Sequence, residues 1–156
     1  MPDAWLPDMV PISDYSGNWN DYCEAIYEIF KRDLVSNPPL YNGQRLAMKR
    51  HPISEGKEAT FWHLITKGET EASRIPDMRR CERIAWPKPT IENHHKVKCW
   101  ISKKKGEDRL HIWLENEDYV VVLAIRNGYT LLWTAYVVEH NHVRRKLNKE
   151  FARSAK

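Results

Sequence analysis

Tyr119-Val-Val-Val-Leu-Ala-Ile-Arg126, then Asn127-Gly128, then Tyr129-Thr-Leu-Leu-Trp-Thr-Ala-Tyr136 is the stretch that decides the fold. Two runs dense in β-branched and aromatic residues flank an Asn-Gly pair, the strongest short-range signal for a hairpin. Working outward, the second run extends to Val138. Val97 to Lys103 and Arg109 to Glu115 alternate apolar with polar residues around Lys105-Gly106. The chain therefore ends in an antiparallel meander.

Alternation assigns faces, because successive side chains of a strand point to opposite sides. Val97, Cys99, Ile101, Leu110, Ile112 and Leu114 share one side and are expected to face helices. Lys98, Trp100, Arg109, His111 and Trp113 share the other. That second face reads as a platform for single-stranded nucleic acid, with rings for bases and cations for phosphates. Thr134 and Tyr136 share one face of the last strand, and their hydroxyls suit a phosphate oxygen or a 2′-hydroxyl. The hairpin decides whether Arg126 joins them. A two-residue loop pairs Arg126 with Tyr129 and sends it away from Thr134, whereas a glycine-bulged loop brings them together.

A chain of 156 residues is long enough for one domain with its own core. Cys23, Cys81 and Cys99 are odd in number and form no C-x-x-C pair, which reads as reduced thiols in a cytosolic protein. Asp3 and Asp8 among prolines do not make a signal peptide, and Val120 to Ile125 is too short to span a bilayer. Residues 1–37 hold seven acids and two bases, while the rest holds 23 bases and 14 acids. A basic body of this kind suits a polyanion.

Residues 1–17 read as an extended lead-in. A helix follows with Asn18 or Asn20 as its cap and Trp19, Tyr22, Cys23, Ile26, Tyr27 and Phe30 as its stripe; Ser36-Asn-Pro-Pro39 stops it. Gln44 to Arg50 and Ala59 to Thr66 are strand candidates. Residues 67–95 lack regular periodicity, and Pro76 suits the first position of a short helical turn through Arg83. Val143, Leu147 and Phe151, four apart, make the stripe of a short basic C-terminal helix. The fold class is α+β: an N-terminal helix on a curved antiparallel sheet of about five strands, with a short C-terminal helix.

Arg74-Ile-Pro-Asp-Met-Arg-Arg-Cys-Glu-Arg83 packs four arginines into ten residues. Guanidinium groups bind phosphate through paired charge-assisted bonds, so Arg74, Arg79, Arg80 and Arg83 are candidate anion ligands. His63, in Phe61-Trp-His-Leu-Ile65, is a candidate proton carrier. The histidines show no metal-binding spacing, and there is neither a glycine-rich phosphate loop nor a G-x-S-x-G elbow. No cofactor or metal is expected.

Phe61-Trp-His-Leu, Arg74-Ile-Pro-Asp followed by Arg-Arg-Cys-Glu-Arg-Ile-Ala-Trp86, and Leu131-Leu-Trp-Thr-Ala-Tyr136 together resemble the phage-encoded branch of the barnase–EndoU–colicin–RelE-like ribonuclease superfamily. The resemblance spans about residues 42–151. It implies a helix-plus-curved-sheet fold whose open face cuts RNA without metal. It assigns His63, Arg79, Arg83 and Thr134 to catalysis, with Arg80 a further cation. The second proton carrier is left among Glu69, Glu82, His111 and Tyr136. The expected activity is endoribonucleolytic: the 2′-hydroxyl attacks, and a 2′,3′-cyclic phosphate results. A phage or prophage toxin or effector, partnered by RNA and by an antitoxin or immunity protein, fits that activity. A non-catalytic RNA-binding or structural phage protein is the alternative.

Overall fold

The computed structural model describes residues 5–68 and 70–154. Helix α1 (Trp19–Phe30) starts at Asn18, whose side chain accepts the Asp21 amide at 3.1 Å. Tyr22, Cys23, Ile26 and Phe30 are its buried stripe. The helix widens over Lys31–Ser36 and ends before the two prolines. The lead-in winds into a short 3-10 turn, Ile12–Tyr15. It is tied down where the Tyr22 hydroxyl donates to the Val10 carbonyl and the Trp86 indole donates to that of Pro7.

A small hairpin, β1 (Leu40–Tyr41) and β2 (Gln44–Arg45), precedes β3 (Ala47–Met48), so the single strand expected over 44–50 is broken in two. Ala59 to Thr66, expected as a strand, is a helix instead: α2 (Ala59–Ile65). Its first amides are satisfied from the chain leaving β3, because Ala59 and Thr60 donate to the Arg50 and Lys49 carbonyls. The Thr60 hydroxyl also accepts from the Lys49 amide and donates to its carbonyl. Strands β4 (Thr66–Lys67) and β5 (Ile75–Pro76) pair antiparallel, so Pro76 is a strand residue. The next helix, α3 (Met78–Glu82), is capped by Asp77, which accepts the Arg79 amide at 3.0 Å. Helix α4 (Pro87–Glu92) lies in the stretch that shows no periodicity. Its prolines stand in the first turn, where amides have no helical partner to lose.

The meander is β6 (Lys98–Lys104), β7 (Glu107–Leu114), β8 (Tyr119–Arg126) and β9 (Tyr129–Val137), and α5 (Asn141–Ser154) closes the chain. The sheet order is β3-β9-β8-β7-β6. All neighbours are antiparallel except β3, which pairs parallel with β9, so the five-stranded sheet is mixed. Lys105 and Gly106 both take positive φ, the primed turn whose twist matches that of the strands.

One face of the sheet, through Leu110, Ile112, Leu114, Val121, Leu123 and Leu132, packs on Tyr22, Ile26 and Phe30 of α1 and Phe61 and Leu64 of α2. Val97 and Cys99 join this core, but Ile101 on the edge strand is 49% exposed. The other face is covered as well. Val143, Leu147 and Phe151 of α5 pack over Trp100, Trp113, Val120 and Val122. Trp113 is fully buried and Trp100 is 3% exposed, so the open indole platform expected from alternation does not exist. Lys98 sits over the Trp113 ring and bonds to Glu115.

Candidate active site

Helix α5 leaves part of that face open. Beyond it, towards the β6–β7 hairpin, the sheet floors an open cleft of about 840 Å³. Arg109, His111, Trp133, Thr134 and Tyr136 rise from the floor, and Lys103 and Lys104 stand along the edge strand. His142, Lys146, Glu150 and Arg153 line the helix wall. Two lysines on one side and a lysine and an arginine on the other give the mouth a positive field.

A bulge shapes the floor. Val122 pairs with Thr134 while Leu123 pairs with Leu132, so Trp133 is an extra residue in β9. The Asn127–Gly128 loop has two residues, with Arg126 opposite Tyr129. The bulge then shifts the parity beyond it, so Arg126 shares a face with Thr134 after all. The Arg109 guanidinium lies 4.4 Å from the Trp133 ring centre, and that of Arg126 lies at 5.8 Å. Glu107 joins these arginines, accepting from each at 2.7 Å. Burial pushes the Glu107 carboxyl up, but the two guanidiniums outweigh it and hold the pKa below the ordinary value.

His111 lies flat on the Trp100 ring, 5.2 Å between centres and 7° between planes. Its Nδ1 is 3.5 Å from the Ser102 hydroxyl. Burial lowers its pKa; Glu150 opposes that shift, and Lys104 and Arg109 add to it. At neutral pH the ring is therefore an uncharged acceptor. Burial pushes the Tyr136 hydroxyl up to about 12, which keeps its proton in place. Glu150 accepts from the Trp100 indole at 3.2 Å. A neutral imidazole, a protonated phenol, a hydroxyl and several cations thus face one space, a set able to take, give and steady charge in acid–base chemistry.

Of the residues singled out from sequence, the cleft gathers Arg109, His111, Thr134 and Tyr136. His63, 8% exposed, meets the edge of Trp133 from α2. Its carbonyl accepts from the Thr134 hydroxyl at 3.1 Å. Arg74 donates to the carbonyls of His63, Thr66 and Gly68 and to the Thr66 hydroxyl. Arg80 donates to the carbonyls of His63 and Thr66 and lies beside Asp77. These two guanidiniums satisfy the carbonyls that α2 leaves open at its C-terminus. Arg79 pairs with Glu139 at 3.4 Å. Arg83 reaches back to the Arg79 carbonyl and stacks on Trp86. Lys98, Trp100 and Trp113 lie under α5. Glu82 stands on α3, where its carbonyl accepts the Val10 amide, and Glu69 lies outside the described residues.

Sequence reasoning missed His142, Lys146, Glu150 and Trp133. The first three recur every four residues, one step ahead of the apolar series Val143, Leu147 and Phe151. They form the polar line beside the buried stripe, which was a readable signal. Among the described residues no group of three or more His, Cys, Asp or Glu converges as a metal site, and no helix is long and apolar enough to cross a membrane. Set against family models, curated proteins and solved structures, the chain matches none.

Proposed function

We propose that this protein is a metal-independent endoribonuclease whose reaction takes place in the cleft between α5 and the sheet. The single observation that carries the reading is the convergence of neutral His111 with Thr134, Tyr136, Arg109 and Lys146 on one open space. RNA supplies its own nucleophile. His111 takes the 2′-hydroxyl proton, Arg109 and Lys146 steady the charge of the phosphorane, and Tyr136 gives a proton to the departing 5′ oxygen. The products are a 2′,3′-cyclic phosphate and a 5′-hydroxyl. A toxin or effector role, with an antitoxin or immunity protein as partner, belongs to the same proposal.

A second reading, a non-catalytic RNA-binding protein, is favoured by one observation. Of the residues that the ribonuclease resemblance points to, Arg80 is tied into the carbonyls at the end of α2, and His63 is buried in that helix. Incubation of the purified protein with single-stranded RNA separates the two. Cleavage should leave cyclic-phosphate ends, should be indifferent to chelator, and should slow by about 10²–10⁴-fold in His111→Ala, the range for one acid–base group. Intact RNA after incubation with the folded protein would select the binding reading.

A further inference from the structure

Helix α5 breaks the local rules of helix electrostatics. No acid stands in its first turn, and Arg144, Arg145 and Lys146 follow close behind, where the helix dipole favours anions. Arg145, Lys149 and Arg153 are four apart, a spacing at which like charges destabilise a helix. Arg144, on the inner side, is neutralised by Asp118 and Glu115. Arg145, Lys146, Lys149 and Arg153 are exposed, and among the described residues none of them forms an ion pair. A second groove of about 300 Å³ runs along these side chains and shares His142, Lys146, Glu150 and Arg153 with the cleft, so that four cations and one carboxylate line the groove. Departures from local consistency of this kind concentrate at functional surfaces.

We infer that the outer face of α5 is a backbone track for single-stranded RNA, which it feeds into the cleft. The inference rests on the RNA reading above and adds where the strand is held. Arg145 to Arg153 spans about 12 Å at 1.5 Å per residue, long enough for several phosphates. The track ends at Trp133 and Tyr136, rings on which only a strand free to splay its bases can stack.

The test is titration of a labelled 2′-O-methyl oligoribonucleotide, which lacks the attacking hydroxyl, at several salt concentrations. The doubly substituted R145Q/K149Q protein should lose affinity and flatten the log–log salt slope by about 1.4, at about 0.7 per phosphate contact for a single strand. R45Q/K49Q removes the same charge from exposed positions elsewhere and should leave the slope unchanged. An unchanged slope in R145Q/K149Q, or equal flattening in both proteins, overturns the track while leaving the cleft reading intact. If R145Q/K149Q instead loses only poly-glutamate binding, the face belongs to an acidic protein partner and the inference fails. A wild-type protein that neither binds this RNA nor cuts its unmodified counterpart defeats both. Binding with the expected slopes but without cleavage keeps the track and removes only the catalysis.

Discussion

Two corners of this molecule hold the same kinds of side chain and use them in opposite ways. At the end of α2, a histidine and two arginines are turned inward. The guanidiniums of Arg74 and Arg80 close carbonyls, and the His63 carbonyl receives three donors. In the α5 cleft, His111, Lys146 and Tyr136 face an open space, and Arg109 lines it while bonded to Glu107 and stacked on Trp133. Residue type alone therefore does not mark a site. What separates the corners is whether the polar atoms are consumed by the fold, since a helix end must satisfy its last carbonyls before anything else.

The largest effect that probes this contrast concerns the covered part of the sheet. Trp113→Ala should destabilise the protein by about 3–5 kcal/mol, the cost of emptying a buried indole site. Trp113→Phe should cost much less, because the buried indole nitrogen has no hydrogen-bond partner to lose. Denaturant midpoints check both, and a small loss in Trp113→Ala would mean that α5 does not hold this face. Next in size, Arg80→Ala should cost about 1–3 kcal/mol by leaving carbonyls at the end of α2 less satisfied, with RNA affinity unchanged. Arg109→Ala should behave the other way, weakening RNA binding more than stability. If Arg80→Ala instead abolished RNA binding in a folded protein, the contrast between the corners would collapse.

The smallest effect is a pH dependence. Burial holds His111 below the ordinary imidazole value of 6.5. Between that lowered pKa and 6.5 the unfolded chain binds the extra proton and the native one does not. The stability His111 contributes is therefore complete above pH 6.5 and is lost as pH falls through its folded pKa. Stability measured downward from neutral pH should decline more steeply in the wild type than in His111→Gln. Parallel curves would show that the ring is not held neutral by the fold.

The meander was legible because its signals agree: alternation in β6 and β7, Lys105-Gly106 and Asn127-Gly128 at the turns, and β-formers throughout. Helix α2 was not. Ala59, Thr60, Phe61, His63, Leu64 and Ile65 are all buried, so no polar face exists to reveal a helical period. A short run buried all round cannot be told from a strand by periodicity. The parallel docking of β3 rests on two residues, too few for any pattern.

The fate of the indole face had been written in β8. Val120 through Ala124 are buried without interruption, which requires cover on both sides of the sheet. The apolar stripe of α5 supplies it on the indole side. The bulge left no such mark: Leu131 and Leu132 are adjacent and both buried, but so are neighbouring residues of the unbulged β8, because both faces of the sheet are covered.

That bulge carries an evolutionary consequence. Because Trp133 is supernumerary, the pairs on either side, Val122 with Thr134 and Leu123 with Leu132, do not depend on it. A single-codon deletion there would remove the ring that Arg109 and His63 touch while keeping every other floor residue on its side. A single-codon insertion in an unbulged ancestor would have added that ring in one step. The cleft can thus gain or shed an aromatic surface by an in-frame indel in the middle of a strand, a place where such changes ordinarily ruin a sheet.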